Sequence, residues 1–566
     1  PISQRTREFA LLRSLGASRG QITRSVAFES ALVGLIGSAL GVAGGVGLVA
    51  LIRVAMARYG MPLPDAGTGL STRAVVVPLV VGTLVTVLSA LAPARKAGQV
   101  KPVEAMRSSE AATPQPLRWR TAAGLILVAA GVAAAVYAMG WDDGATGRRA
   151  GLVGVAALAA ITGLFLAGPA LSLPVVPPLG RVIGLPFGAV GRLASTNTRR
   201  NPRRTATTAF ALMLGIALVT VIGMLGASMK RSVDDVASSE VSADFVLSGP
   251  QNGVFPLPED LPERLDAVDG AGETAAYTQA PITVDGQFGY QLGGFGVTDV
   301  LQGDPADLIT LDMVEGSSSL DGNTIIAPAP LAQEHGWRVG DTLPVAGPTG
   351  ESVEATLGGT FEPSNILQSF VVSDEAAVAT GARGTGRVLM VGVNNDGTVD
   401  EAQLRANLEE EVRHDIVVQV RSTQDMAGEV SAMIDQMLFI LYALLSLAVV
   451  IAVLGIVNTL TLSVIERRQE IGMLRAVGTQ RRQVRTMITL ESVQMTVYGA
   501  ILGVLLGLGL GWAFLTVLEA KGLTTITVPW QLILTVLVGS FLVGLLAAVW
   551  PAGRAAKTPP LDAIAE

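Results

Sequence analysis

Long apolar runs alternate along this chain with short charged segments, and one wide hydrophilic interval interrupts them. Eight runs, near 27–52, 75–92, 121–139, 151–173, 206–229, 437–462, 492–518 and 531–550, are long enough to cross a bilayer as helices. Between 236 and 432 the period changes. ADFVLSG (243–249), NTIIAP (323–328) and RVLMVGV (387–393) read as strands, the last followed by an Asn-Asp-Gly turn, a helix near 400–412 and a strand near 415–420. The pattern predicts an α-helical membrane protein with about eight transmembrane helices and a mixed α+β extracytoplasmic domain.

Composition sharpens this picture. Of 566 residues half are apolar and only 15% are charged, well below the roughly 25% of a soluble protein. With no Cys, the chain offers neither a disulfide scaffold nor a Cys-ligated metal site. The net charge of -7 conceals a segregation: residues 240–429 hold 31 acidic side chains against 7 Arg and no Lys, and the remainder holds 16 acidic and 33 basic. The basic segments (the start, 93–120, Arg199 to Arg204 and 463–487) are separated from one another by even numbers of spans. The positive-inside rule therefore places them in the cytoplasm and the acidic interval outside. The excess of Arg over Lys points to a GC-rich bacterial source and so to a bacterial cytoplasmic membrane.

The chain also repeats itself. Residues 5–30 align without gaps on 467–492 with nine of 26 positions identical, among them Glu8 with Glu470, Leu12 with Leu474, Arg13 with Arg475, Gly16 with Gly478 and Glu29 with Glu491. Downstream, Gly37 and Gly41 match Gly499 and Gly503, and 93–106 parallels 551–564. Each half reads as a charged cytoplasmic helix, two spans and a Pro-Ala-Arg exit. In the second half a basic segment, a span, the acidic domain and another span come first. By analogy the first half is expected to have had such elements before Pro1, so the sequence reads as lacking its natural N-terminus.

Around the second copy, Ile471, Met473, Leu474 and Val477 recur at helical spacing, charged residues occupy the other faces, and Gly478 stands where a C-cap is needed. A lipid surface would accept Lys or Arg at any register. Two copies with matched Glu, Arg and Gly positions suggest a protein partner instead. Glu29 and Glu491 sit at the mouths of matching spans, where a structural or coupling role is expected ahead of a proton relay. Glycines at four-residue spacing in 34–48 and 499–512 predict close helix packing. With no Gly-Lys dipeptide there is no P-loop, and no HExxH, serine-hydrolase or EF-hand pattern appears. His335 and His414 read as surface or fold-supporting residues. No catalytic residue, cofactor or metal site is expected, and no nucleic acid as partner.

ERRQEIGMLRAVGTQRRQV, its counterpart TREFALLRSLGASRGQI and the terminal PAGRAAKTPPLDAI resemble the hallmark regions of FtsX/MacB-type ABC transporter permeases, the mechanotransmission (type VII) class. NTIIAPAPLAQEHGWRVGDTLPV (323–345) is similar to part of that family's periplasmic core domain. The resemblance implies a tandem form: 1–110 closing a first unit, 111–195 a linker hairpin, 196–235 the first span of a second unit, 236–432 the extracytoplasmic core domain and 433–566 the closing unit with three spans. It implies that Glu8, Leu12, Arg13 and Gly16, with Glu470, Leu474, Arg475 and Gly478, belong to coupling helices that dock on a separate cytoplasmic ABC ATPase dimer, which binds the ATP. The implied task is export or extraction of a hydrophobic, peptide or lipoprotein-type substrate. The alternative is a transmembrane regulator acting on an extracellular cell-wall hydrolase or sensor. A secondary transporter fits least, because the spans show no cluster of midplane charges.

Overall fold

The computed structural model describes residues 12, 15–58, 71–99, 117–141, 145–250, 255–292, 295–364, 366–382, 387–519, 523 and 525–557. The chain divides into two compact units, 1–122 and 123–566. Among the described residues, eight helices are long and apolar enough to span a membrane, as the hydrophobic runs require.

In the first unit α1 (Arg19–Arg58) packs on α2 (Thr72–Gln99). Glycine lets the two backbones approach: a Cβ on Gly34 would stand 3.0 Å from the Cα of Thr83.

The second unit opens within α3 (Leu117–Met139), which forms a hairpin with α4 (Thr146–Gly184). Gly124, Gly131 and Gly163 lie so close to the facing backbone that a Cβ would fall within 2.6 to 2.8 Å of it. The buried Arg149 donates from Nε to the Ala138 carbonyl and from Nη2 to that of Met139, both at 3.0 Å, satisfying carbonyls that the end of α3 leaves open. Sequence placed the end of this span at 173. The helix instead continues to Gly184 through Pro169, Pro174, Pro177 and Pro178. Two hydroxyls bond carbonyls of this proline-rich stretch: Ser172 Oγ donates to that of Pro169 and Ser195 Oγ to that of Pro177. A 3₁₀ turn (Leu185–Phe187) then reverses the chain into α5 (Gly188–Arg200), and Pro202 begins α6 (Pro202–Glu240).

Among the described residues, the interval beyond α6 forms a twelve-stranded mixed sheet. Its elements are β1 (Phe245–Ser248), α7 (Leu261–Leu265), β2 (Ala271–Ala280), β3 (Thr283–Val284), β4 (Tyr290–Leu292), β5 (Phe295–Gln302), β6 (Met313–Gly316), β7 (Thr324–Pro328), α8 (Ala329–His335), β8 (Thr342–Ala346), β9 (Ser352–Phe361), β10 (Val371–Ser373), α9 (Asp374–Ala379), β11 (Arg387–Asn395), α10 (Glu401–Glu411) and β12 (Gln419–Ser422). The strand order is β12-β1-β11-β2-β5-β10-β7-β9-β8-β3, with β4 on β5 and β6 on β9. The strands expected at 243–249, 323–328 and 387–393 are β1, β7 and β11. The closing strand-helix-strand unit also forms, its last strand at Gln419–Ser422 rather than near 415–420, with β1 inserted antiparallel between β11 and β12. Leu404 and Leu408 of α10 pack on Phe245, Leu247 and Val391. A second core gathers Ile282, Ile325, Val345 and Trp337, and His335 stacks on Trp337 with ring centroids 4.8 Å apart, a fold-supporting role.

From β12 the chain enters α11 (Thr423–Glu466), then α12 (Arg468–Ala476), α13 (Arg481–Leu518) and α14 (Trp530–Ala556). Ser422 caps α11: its Oγ accepts from the Asp425 amide while the Asp425 carboxylate accepts from the Ser422 amide. β1 and β12 pair antiparallel, Phe245 opposite Ser422, so α6 arrives at and α11 departs from neighbouring strands. Both helices outrun their apolar spans. Residues 230–240 and 423–436 carry Lys230, Asp235, Asp425 and Glu429, which an apolar scan assigns to the hydrophilic interval although the helical backbone continues.

Candidate functional site

The second copy of the repeated motif lies at the end of the second unit opposite the sheet. Here α11 stops at Glu466, α12 runs for nine residues, and Gly478 takes the left-handed conformation at φ +103°. That conformation lets the Thr479 amide reach back to the Leu474 carbonyl at 3.0 Å, a Schellman closure, and Gln480 and Gln483 then cap α13 reciprocally. The first copy builds the same turn. Gly16 has φ +101°, the Ala17 amide donates to the Leu12 carbonyl at 3.0 Å, and Ser18 and Gln21 cap α1 as their counterparts cap α13. Part of the matched register is therefore a backbone requirement: Leu12 and Leu474 lend carbonyls, and Gly16 and Gly478 lend a conformation that a Cβ would strain.

The apolar positions of the second copy divide into two sets. Ile471 is buried with Val464, Val484, Met487 and Ala552. Met473 and Val477 point away and are 54% and 89% exposed; Leu15, which corresponds to Val477, is 85% exposed. Leu12 is exposed too, whereas Leu474 and Arg475 are half-buried. Glu8 and Arg13 lie outside the described residues.

Beneath this turn is a polar cluster that ties five helices together. Glu491, on α13, is 5% exposed. Its Oε1 accepts from Asn197 Nδ2 of α5 at 2.7 Å and lies 3.3 Å from Nη1 of Arg467, which stands at the break between α11 and α12. Nε of Arg467 donates to Glu470 of α12 at 2.9 Å. Arg204, near the start of α6, pairs with Glu466 and donates to Ser463 Oγ at 2.6 Å. One turn further along α13, Gln494 accepts from Thr198 Oγ1 at 3.2 Å. Glu29, the counterpart of Glu491, is exposed. The structure thus joins Glu470 and Glu491 through Arg467. Sequence reading had counted Arg467 and Arg204 as topology charges and overlooked Asn197 and Gln494; the signal available was the matched Glu pair, whose burial in the second copy demands donors.

At the other end, where α6 and α11 meet the sheet, a cavity of about 340 Å³ is lined almost wholly by apolar side chains, including Val236, Ile366 and Met426. Among the described residues no group of three acidic or histidine side chains is placed to hold a metal.

Residues 2–102 and 442–560, the two copies of the repeat, match the FtsX-like permease C-terminal family model, and residues 205–435 match the MacB-like periplasmic core domain. The chain belongs to the MacB/FtsX-type ABC transporter permeases. An uncharacterized ABC transporter permease of Mycobacterium tuberculosis is 24% identical over 99% of this permease and 65% of its own length. The macrolide export ATP-binding/permease protein MacB of Rhodospirillum rubrum is 27% identical over 68% of this chain and 63% of its own. The chain therefore spans less than two thirds of either relative. A crystal structure of the periplasmic region of MacB from Actinobacillus actinomycetemcomitans aligns with 34% of the permease and 94% of that structure, at 10% identity and a TM-score of 0.25.

Proposed function

We propose that this permease couples ATP hydrolysis by a separate cytoplasmic ATPase dimer to movement of the sheet domain outside the membrane, for export or extraction of a hydrophobic, peptide or lipoprotein-type substrate. The observation that carries this reading is the Arg467 bridge. It links α12, where the exposed Met473 and the C-capping Val477 offer a docking surface, to the buried carboxylate of α13 and, through the α11 backbone, to β12. A displacement of α12 is then passed along a continuous helix of 44 residues to the edge of the sheet, where α6 enters the neighbouring strand. The orientation follows the positive-inside rule, with Arg204, Arg467 and Arg475 in the cytoplasm. The apolar cavity under the sheet favours a hydrophobic cargo over a purely regulatory partner.

The test is ATPase activity of the permease co-purified in lipid with candidate ATPase subunits, with and without Glu8→Lys plus Glu470→Lys. Association that depends on the two glutamates, with membrane insertion intact, supports the assignment. Full stimulation in the double variant, or no ATPase association at all, rejects it.

A further inference from the structure

A second cavity, of about 490 Å³, opens between the end of α4, the start of α13 and the middle of α14. Its walls are of two kinds. Ile183, Phe187, Phe541 and Leu545 form an apolar body, and Arg482 and Arg485, with Thr486 and Thr489, supply its polar groups. The arginines are three residues apart on α13, hence on one face, and both are exposed. Among the described residues neither has an acidic partner, whereas Arg204 and Arg467 close by are paired. The apolar wall continues onto a face of α14 where Phe541, Leu542 and Leu546 are 41%, 52% and 70% exposed. Trp550, 56% exposed with the Arg554 guanidinium 5.5 Å from its ring centroid, marks the interfacial level on the same helix.

We infer that this cavity is a binding site for an anionic phospholipid, with the phosphate on Arg482 and Arg485 and an acyl chain along Phe187, Phe541 and Leu545. Two unpaired guanidiniums above an apolar slot match a ligand that carries a negative head on a hydrocarbon tail. A soluble anion would leave the slot empty, and a zwitterionic lipid would leave the arginines without net countercharge. The pair is also independent of the repeated turn: the first copy carries Gly20 and Thr23 at the corresponding positions. Arginines required for docking the motif would be expected in both copies. The leaflet concerned, the cytoplasmic one, follows from the orientation proposed above; the binding itself does not depend on it.

The experiment uses the full chain, delipidated in neutral detergent and titrated with phosphatidylglycerol, with phosphatidylcholine of the same chains, and with inorganic phosphate, bound lipid being counted by native mass spectrometry. Phosphatidylglycerol is expected to bind preferentially, and Arg482→Gln with Arg485→Gln to weaken it on the order of thirtyfold, the loss of two arginine contacts to an anionic lipid. Leu545→Trp, which fills the slot and leaves both arginines in place, is expected to weaken it as well. Thermal unfolding in phosphatidylcholine reports whether each variant is folded. Equal binding of the two lipids, undiminished binding in the folded arginine variant, or full displacement by inorganic phosphate would overturn the assignment. No ATPase association by the parent chain, with phosphatidylglycerol binding retained, would instead count against the coupling function alone.

Discussion

The guanidinium of Arg467 stands 3.3 Å from the Glu491 carboxylate, joining a break between two helices to the interior of a third. Both side chains are largely withdrawn from water, at 18% and 6% exposure, so neither charge is cheaply left alone. Arg467→Ala strands Glu491 in its pocket and should destabilise the permease by about 3–5 kcal/mol, the usual cost of breaking one side of a buried pair. Glu491→Gln keeps the acceptor for Asn197 and should cost less. Thermal unfolding in detergent of both single variants and of the Arg467→Gln, Glu491→Gln double variant checks this: the double variant should recover much of the loss. Equal additive losses would mean that the two groups are not coupled.

The turn after α12 depends on a backbone conformation. At φ +103° Gly478 has open space around it, so a methyl group there meets no neighbour and only the backbone objects. Gly478→Ala should cost about 1–2 kcal/mol, the penalty for a left-handed L-residue. Gly428→Ala, in the regular part of α11, should be neutral or gain up to about 1 kcal/mol through helix propensity. Unfolding midpoints of the two variants provide the comparison, and similar shifts in both would show that the turn is not strained by a side chain.

Packing between α6 and α13 gives a sharper contrast within one helix. Gly499, Gly503, Gly507 and Gly511 face α6, and a Cβ on Gly503 would lie 2.7 Å from the Met213 carbonyl oxygen and 2.9 Å from Ile216. Gly509 has nothing within 4 Å. Gly503→Ala should therefore lose about 1–3 kcal/mol through overpacking, and Gly509→Ala should not. Detergent-resistant unfolding of the two variants separates them; tolerance of alanine at 503 would mean that the helices part easily.

These glycines also show what a sequence can carry. Four-residue spacing announced a close helix contact but not its partner, and the matching Gly37 and Gly41 have the same spacing with no described neighbour within 4 Å of a Cβ position. The eight spans were legible because burial in lipid demands unbroken apolar length, and Gly16 and Gly478 because only a left-handed residue closes that turn. The extension of α6 to Glu240 was not legible, since polar residues on a helix outside lipid look like those of a loop. Nor was Asn197, almost 300 positions from the carboxylate it serves. Such long-range pairs leave no local period.

Met473 and Val477 project from the α12 turn without an internal packing role, so a charge there should spare the fold and disturb only what docks on it. Val477→Glu is expected to leave the unfolding midpoint within about 0.5 kcal/mol of the parent, as for other surface changes. Under the proposed function it should also lower ATPase co-purification severalfold. Normal association would place the docking surface elsewhere.

The sheet domain holds a buried carboxylate whose behaviour with pH can be given a sign. Asp299 of β5 is fully buried, accepting from Tyr277 Oη at 2.6 Å and Gln279 Nε2 at 3.2 Å. Burial nonetheless pushes its carboxyl above the ordinary aspartate value, the hydrogen bonds from Tyr277 and Gln279 opposing the shift only in part. The folded protein therefore holds this proton more tightly than the unfolded chain. Its contribution to stability is fully present below the ordinary aspartate pKa, and it is lost as pH rises from there through the raised folded value. Asp299→Asn keeps an acceptor for Tyr277 and removes the ionisation. The variant should gain on the parent as pH climbs through that interval and hold a constant advantage above it, read as the difference in unfolding midpoints of the full chain. A difference that stays flat from acid to neutral pH, or one that favours the parent at neutral pH, would mean that the carboxylate is ionised in place and stabilised by its neighbours.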